Sequence, residues 1–351
     1  MQLNTPIGRC AFAVVAAACA GIFAPAAKAA SCITQSQMTA PQRDTLAGAA
    51  RTIVAQVQSG DVLALRANTI PQVAADFGGI AASAASLKPL VQGATITVDD
   101  IYALDASTEP AGAPRTDFYC GSPVVALNFT GLPPGTYALS FVHATGVPKP
   151  QQIALILAKT ADNRWMLAGF FSKPMTEAGH DGLWYWVSAR KYAQMKQDWG
   201  AWLYYRLATQ ILDPVEFLSS PNLDKLHHEA DTVKPQNLPD GSAPVTLAAS
   251  GSSFALTNVD TTTALGPLDL DVHYTPNPAQ TAQLRDPPAA RNQMLAVMTA
   301  LLAQHPELRT AFHGMWVHAD QGNATVFALE LPMDGIAGAP QSPASSKPIS
   351  R

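Results

Sequence analysis

Charge is scarce in this chain. Only 14% of its 351 residues are Asp, Glu, Lys or Arg, and the formal net charge is −4. No local cluster of Lys and Arg stands out. Broad nucleic-acid binding needs a basic face that displaces counterions from phosphates, so no nucleic-acid partner is expected. Cysteine is scarce too: there are four, and no two stand in a C-x-x-C spacing. That excludes the usual thioredoxin-like motif. No G-x-S-x-G elbow occurs, and GSSF at 251–254 lacks the strand–turn–helix setting a serine nucleophile requires. GLPPG and DGIAG have neither the spacing nor the lysine of a phosphate loop, and H-E-x-x-H is absent. Beyond residue 24, no segment approaches the roughly 20 apolar residues that span a bilayer. These gaps lean the reading away from an enzyme, with no cofactor and no transmembrane span in the mature chain.

What is present is a core and a leader. Hydrophobic residues make up 48% of the chain, and the length suits about two domains. Arg9 precedes the apolar run CAFAVVAAACAGIFA at 10–24, and Ala27 and Ala29 fit an A-x-A cleavage site. Residues 1–29 therefore read as a signal peptide, and the protein as exported, periplasmic or extracellular. The alternative is an inner-membrane anchor made by the same segment. Cleavage removes Cys10 and Cys19 and leaves Cys32 and Cys120. In an oxidising compartment a single pair is naturally a disulfide. The rival is a lipid anchor at Cys32, which would attach the protein to the outer membrane. The preceding Ala-Ala-Ser resembles a lipobox, without its usual leucine.

Along the mature chain, helices come first and strands later. PQRDTLAGAARTIVAQVQ at 41–58 repeats Leu46, Ala50, Ile53, Val54 and Val57 at helical spacing. Ser59-Gly60 stops it, and Asp61 is placed to cap a second helix, DVLALRAN. A looser helical stretch covers about 70–92. ATITVDDIYAL, PVVALNF, TYALSFVHA, IALILAK and RWMLAGFF read as strands. The fold class is α+β: helices packed on a curved antiparallel sheet, a helical hairpin, and a second, smaller α+β domain. The boundaries are a first domain over 30–175, an aromatic-rich helical segment over 176–230, a linker over 231–244, a C-terminal domain over 245–334, and a disordered tail over 335–351. The helix 289–305 and the strands SFALTNV, LDLDVHY, HGMWVHA and ATVFALELPM belong to the C-terminal domain. Four of the six tryptophans fall between Gly179 and Arg206, and residues 188–210 read as helical.

The helix, SGD turn, short helix and long meander over about 42–174 resemble the NTF2-like (cystatin-like cone) superfamily. SGD and RWMLAGFF are the best local points of likeness. The aromatic segment resembles one degenerate tetratricopeptide repeat: Tyr185, Ser188, Ala189 and Tyr192 match the spacing of its first helix, and Ala201, Tyr205 and Ala208 that of its second. A single repeat has no neighbour to form a groove with.

Resemblance to the cone implies an open mouth that takes an apolar ligand or holds an acid–base pair. On TYALSFVHA, alternation sets Tyr137, Leu139, Phe141 and His143 on one face. His143 is thus a candidate ligand contact, and the catalytic alternative pairs it with Asp100 or Tyr102 for isomerisation or hydrolysis. A core histidine is the plain reading. Tyr137, Tyr102, Trp184 and Trp186 are the other candidate ligand contacts. The tryptophans read as an interdomain core, a stacking platform or a partner surface, with the core preferred. No metal site is expected. His227, His228 and Asp231 supply two helical ligands at a time, and His313 and His318, five apart, face opposite sides of a strand. The function expected is non-catalytic binding of a small apolar ligand, a peptide or another envelope protein.

Overall fold

The computed structural model describes residues 30–121, 125–249 and 251–336, so the expected leader at 1–29 and residues 337–351 of the expected tail lie outside it. The fold is α+β. After a short strand β1 (Ser31–Thr34), helix α1 (Ala40–Ser59) starts at Thr39, which forms a capping box with Gln42. It buries Leu46, Ala50, Ile53, Val54 and Val57 and ends at Gly60, whose φ of 76° is the left-handed cap conformation that glycine adopts without strain. Asp61 caps α2 (Val62–Ala67), accepting the Ala64 N–H at 2.9 Å. Then come α3 (Pro71–Ala74) and α4 (Gly78–Val91).

Six strands follow: β2 (Thr95–Asp105), β3 (Arg115–Cys120), β4 (Val125–Thr130), β5 (Thr136–Thr145), β6 (Gln151–Lys159) and β7 (Trp165–Pro174). The central sheet is antiparallel, in the order β1-β2-β5-β6-β7. Helices α1 and α4 cover one face, and the β3–β4 hairpin covers part of the other. The alternation expected on β5 is present, but both of its faces are buried. Ala138, Val142 and Ala144 meet the helices, while Tyr137, Leu139 and Phe141 meet the hairpin. Small side chains let the helices sit close to the sheet, so the bulky row, and His143 with it, points away from the space between helices and sheet.

Cys32 and Cys120 form a disulfide, S–S 1.96 Å, tying β1 to β3. A sulfur in that bond is not available for a lipid thioether, so the lipid anchor at Cys32 is set aside. No helix among the described residues is long and apolar enough to cross a membrane.

A two-residue hairpin, β8 (Thr176–Glu177) and β9 (His180–Asp181), leads into α5 (Gly182–Gln194) and α6 (Asp198–Leu212). The expected helical hairpin is present, and its turn falls at Met195–Gln197, where Lys196 takes a left-handed φ of 60°. The chain then touches the first half again: β10 (Leu218–Ser219) pairs with β4. Helix α7 (Pro221–Val233) begins at Ser220, which caps it. Gly182 stands where α5 meets the end of α6: a Cβ there would lie 2.5 Å from Leu212 Cγ.

Glu229 on α7 joins the three helices. It accepts the Trp186 indole N–H at 2.7 Å and both Arg190 N–H groups at 2.7 and 2.9 Å, with the Tyr205 hydroxyl at 3.3 Å. The Arg190 hydrogen bond holds the Glu229 carboxyl below its ordinary range. A depressed carboxyl stabilises the fold above the usual carboxylate pKa, and that contribution is lost as pH falls through the lowered value. Glu229→Ala is expected to cost about 1–3 kcal/mol at neutral pH and to flatten the acid limb of the thermal midpoint. Melting curves of both proteins across the acid range check this; superimposable curves would show the network adds nothing.

The last unit contains β11 (Asp240–Ala249), β12 (Ser252–Thr262), β13 (Asp269–Thr275), α8 (Pro278–Gln283), α9 (Pro287–Gln304), α10 (Leu308–Ala311), β14 (Gly314–Gln321) and β15 (Ala324–Pro332). The strands lie in sequence order, and β13 and β14 are parallel across the helical crossover. Buried Met294, Val297, Met298 and Leu301 of α9 share one core with Leu270, Val272, Tyr274, Met315 and Val317 of the sheet, and with α5 and α6. The expected linker at 231–244 is mostly absorbed: α7 runs to Val233 and β11 begins at Asp240. Order extends past the expected tail boundary, because Ile336 is buried and Arg309 Nη1 donates to the Met333 carbonyl at 2.8 Å.

Candidate functional site

The acids of VDD on β2 create the site. Residues 98 and 100 pair with neighbours on β5, Val142 and Phe141, so Asp99 is the extra residue of a β-bulge. Asp100 and Tyr102 then share the face that carries Phe141, His143 and Gln152. The β3–β4 hairpin covers only part of this face. Over the remainder lie α5, the end of α6 and the start of α7.

A cleft of about 380 Å³ remains between them. Its apolar wall includes Tyr102, Phe141, Leu183, Trp186, Leu212 and Leu223, and its polar lip includes Asp99, Asp100 and Gln152. Tyr102 and Phe141 meet edge to face, with centroids 6.3 Å apart. Trp186 is held rigid by its bond to Glu229 and by the Arg190 guanidinium, 4.4 Å above its ring. Burial, then the neighbouring Asp99, raises the Asp100 carboxyl, and the nearby His143 opposes this. Burial also raises the Tyr102 hydroxyl. Asp100, Tyr102 and Val125 line a second, polar hollow as well, so the two spaces adjoin.

The structure thus brings Asp100, Tyr102 and Trp186 together. His143 stands just behind the lip. Its Nε2 lies 3.2 Å from the Gln152 amide nitrogen. Nδ1 is 3.9 Å from Asp99 Oδ2, beyond hydrogen-bond reach. Tyr137 is elsewhere: it is buried against the hairpin, and its hydroxyl donates to the Pro133 carbonyl at 2.8 Å. Trp184 is also elsewhere, stacked on His180 at 3.6 Å and 41% exposed. Trp186 and Trp199 are buried, and Trp202 is partly buried against the same core. His227 pairs with Asp213 at 2.8 Å and joins no group of three potential metal ligands among the described residues.

Leu183, Leu212 and Gln152 were not apparent from sequence as site residues, because three separate elements bring them to one place. The signal for the bulge was readable: two consecutive acids interrupt a strand that otherwise alternates. A larger hollow, about 620 Å³, lies where α1 meets β1, and none of the ligand-contact or catalytic candidates named from sequence lines it. Compared with protein-family models, curated proteins and solved structures, the chain matches none.

Proposed function

We propose that this is an exported binding protein whose cleft takes a small molecule with an apolar body and a cationic head. One observation carries the reading: a bulge sets Asp99 and Asp100 at the lip of an otherwise apolar cleft. Pockets of this kind bind through apolar walls and orient the ligand with a few polar groups. The Cys32–Cys120 disulfide supports export, since such bonds persist in oxidising compartments. Acid–base chemistry is the weaker reading. It needs His143 in hydrogen-bond reach of a carboxylate, and the separation to Asp99 is 3.9 Å. Descent of the first half from an NTF2-like fold, and of α5–α6 from a tetratricopeptide hairpin, belongs to the same proposal. Both rest on element order and spacing.

The test is a fluorescence titration with 2-(1-naphthyl)ethylamine and, as its anionic counterpart, 1-naphthylacetate. The amine is expected to bind at least about ten-fold tighter, the effect of one charge-assisted hydrogen bond. Asp99→Asn with Asp100→Asn is expected to erase that preference. Leu183→Arg, at an exposed position on the cleft wall, is expected to abolish binding. Failure of both probes to bind, or binding indifferent to Leu183→Arg, would overturn the reading.

A further inference from the structure

The outward face of the C-terminal sheet carries a second concentration of chemistry. On β13, Asp269, Asp271 and His273 alternate with the core residues Leu270, Val272 and Tyr274. On β14, Trp316, His318 and Asp320 alternate with Met315, Val317 and Ala319. The strands are parallel and in register, with His273 directly opposite His318 and Asp271 opposite Trp316. Directly opposed residues project from the same face, so the two imidazoles stack, with centroids 4.5 Å apart and planes 10° from parallel.

Their nitrogens converge on one carboxylate. Asp271 Oδ2 lies 3.4 Å from His273 Nε2, and Asp271 Oδ1 lies 3.1 Å from His318 Nε2. One ligand atom from each of the three residues falls within 4.8 Å of the other two. Ligands at roughly 2.0–2.1 Å from a tetrahedral zinc stand about 3.3 Å from one another. The two Asp271–imidazole separations, one to each carboxylate oxygen, are close to that edge.

A second carboxylate orients the first ring. His273 Nδ1 donates to Asp320 Oδ2 at 2.6 Å, and Thr325 Oγ1 donates to Asp320 Oδ1 at 2.6 Å. That bond keeps a proton on Nδ1 and leaves Nε2, the nitrogen facing Asp271, as the one that could bind a metal. Metal-bound histidines characteristically have such a carboxylate behind them. Trp316 packs against the His318 ring at 4.7 Å. The side chains of His273, His318 and Asp271 are 26%, 12% and 23% exposed, so an ion is reachable from solvent while most of its surroundings are protein.

We propose that Asp271, His273 and His318 form a binding site for a divalent first-row transition ion, with zinc as the simplest occupant. Two imidazoles and one carboxylate suit zinc and its neighbours, whereas magnesium and calcium favour oxygen ligands. Three protein ligands leave a coordination position toward solvent. A nearby group, Asp269, His313 and Glu330, is built differently. It centres on Gly314, where a Cβ would lie 2.8 Å from Glu330 Oε1 and 2.9 Å from Asp269 Oδ1, and it contains one imidazole. It serves as the internal control.

The experiment uses the tag-free chain, stripped with chelator and dialysed against zinc, with magnesium in a parallel arm. Expected are one zinc per chain, a rise in thermal midpoint with zinc only, and X-ray absorption at the zinc edge showing two imidazole ligands. His273→Gln and His318→Gln are each expected to lose the zinc, with folding verified by circular dichroism. Asp320→Asn is expected to weaken binding by roughly ten- to a hundred-fold, the usual effect of a supporting carboxylate. His313→Gln is expected to bind as the parent does. No zinc uptake, uptake without imidazole scattering, or uptake lost only with His313→Gln each overturns the proposal.

Discussion

Replacing both Cys32 and Cys120 with serine is expected to lower unfolding free energy by about 4–5 kcal/mol, the chain-entropy value for a closed loop as long as this one. The bond spans 88 residues of sequence. It joins the central sheet to the hairpin sheet. Strand β1 has four residues at the edge of the central sheet, two of them exposed, and pairs only with β2. Strand β3 is the outer strand of the hairpin sheet. Without the crosslink, both edges are held by short ladders, and the core between the sheets opens from that side. The measurement is urea unfolding of the parent and the double variant, with and without reductant. Reductant should move the parent toward the variant and leave the variant unchanged. A variant whose midpoint matches the oxidised parent would show that the crosslink does not hold this edge.

Tyr204→Ala is expected to cost about 3–5 kcal/mol, the range for deleting a buried aromatic ring. Tyr204 stands at the centre of the aromatic knot. Its ring meets Trp184 at 6.0 Å, Tyr185 at 5.4 Å, Tyr192 at 5.0 Å and Phe312 at 5.8 Å. Its hydroxyl donates to the Ala311 carbonyl at 2.5 Å, linking α6 to α10 across 107 residues of sequence. Tyr204→Phe keeps the rings and loses that bond, so about 1 kcal/mol is expected. Denaturant titration of the two variants separates the contributions. A cost below about 1 kcal/mol for the alanine variant would mean that the knot does not couple the helices to the C-terminal unit.

The helices of the first half were legible because their signals are local. The apolar spacing of α1, its glycine stop and the Asp61 cap involve residues within one or two turns of each other. The disulfide was legible because only one pair of cysteines lies beyond the expected leader. The aromatic segment was half legible: a helical hairpin was expected there, but the place of its turn was not. No proline or glycine occupies Met195–Gln197, and the turn is set by α5 and α6 folding back on each other.

The candidate sites were legible only in part, and for a reason of geometry. VDD could be seen, but the wall formed by Leu183 and Leu212 lies more than 80 positions further along the chain. In the C-terminal sheet, Asp269, Asp271 and His273 could be placed on one face by alternation, as could Trp316 and His318. His313 and His318 stand in separate groups of potential ligands. The partner of His318 is His273, and nothing in either strand states that they are neighbours or parallel.

Sequence by itself determined the α+β class, the cap that starts α2 and the glycine that ends α1. These depend on backbone preferences and side-chain spacing over a few residues. Only the tertiary structure decided which strand lies beside which, that both faces of the first sheet are covered, and where Asp99 and His273 find their partners. Register between distant strands is chosen by the packing of the whole core, which favours one arrangement over many that the local pattern permits equally.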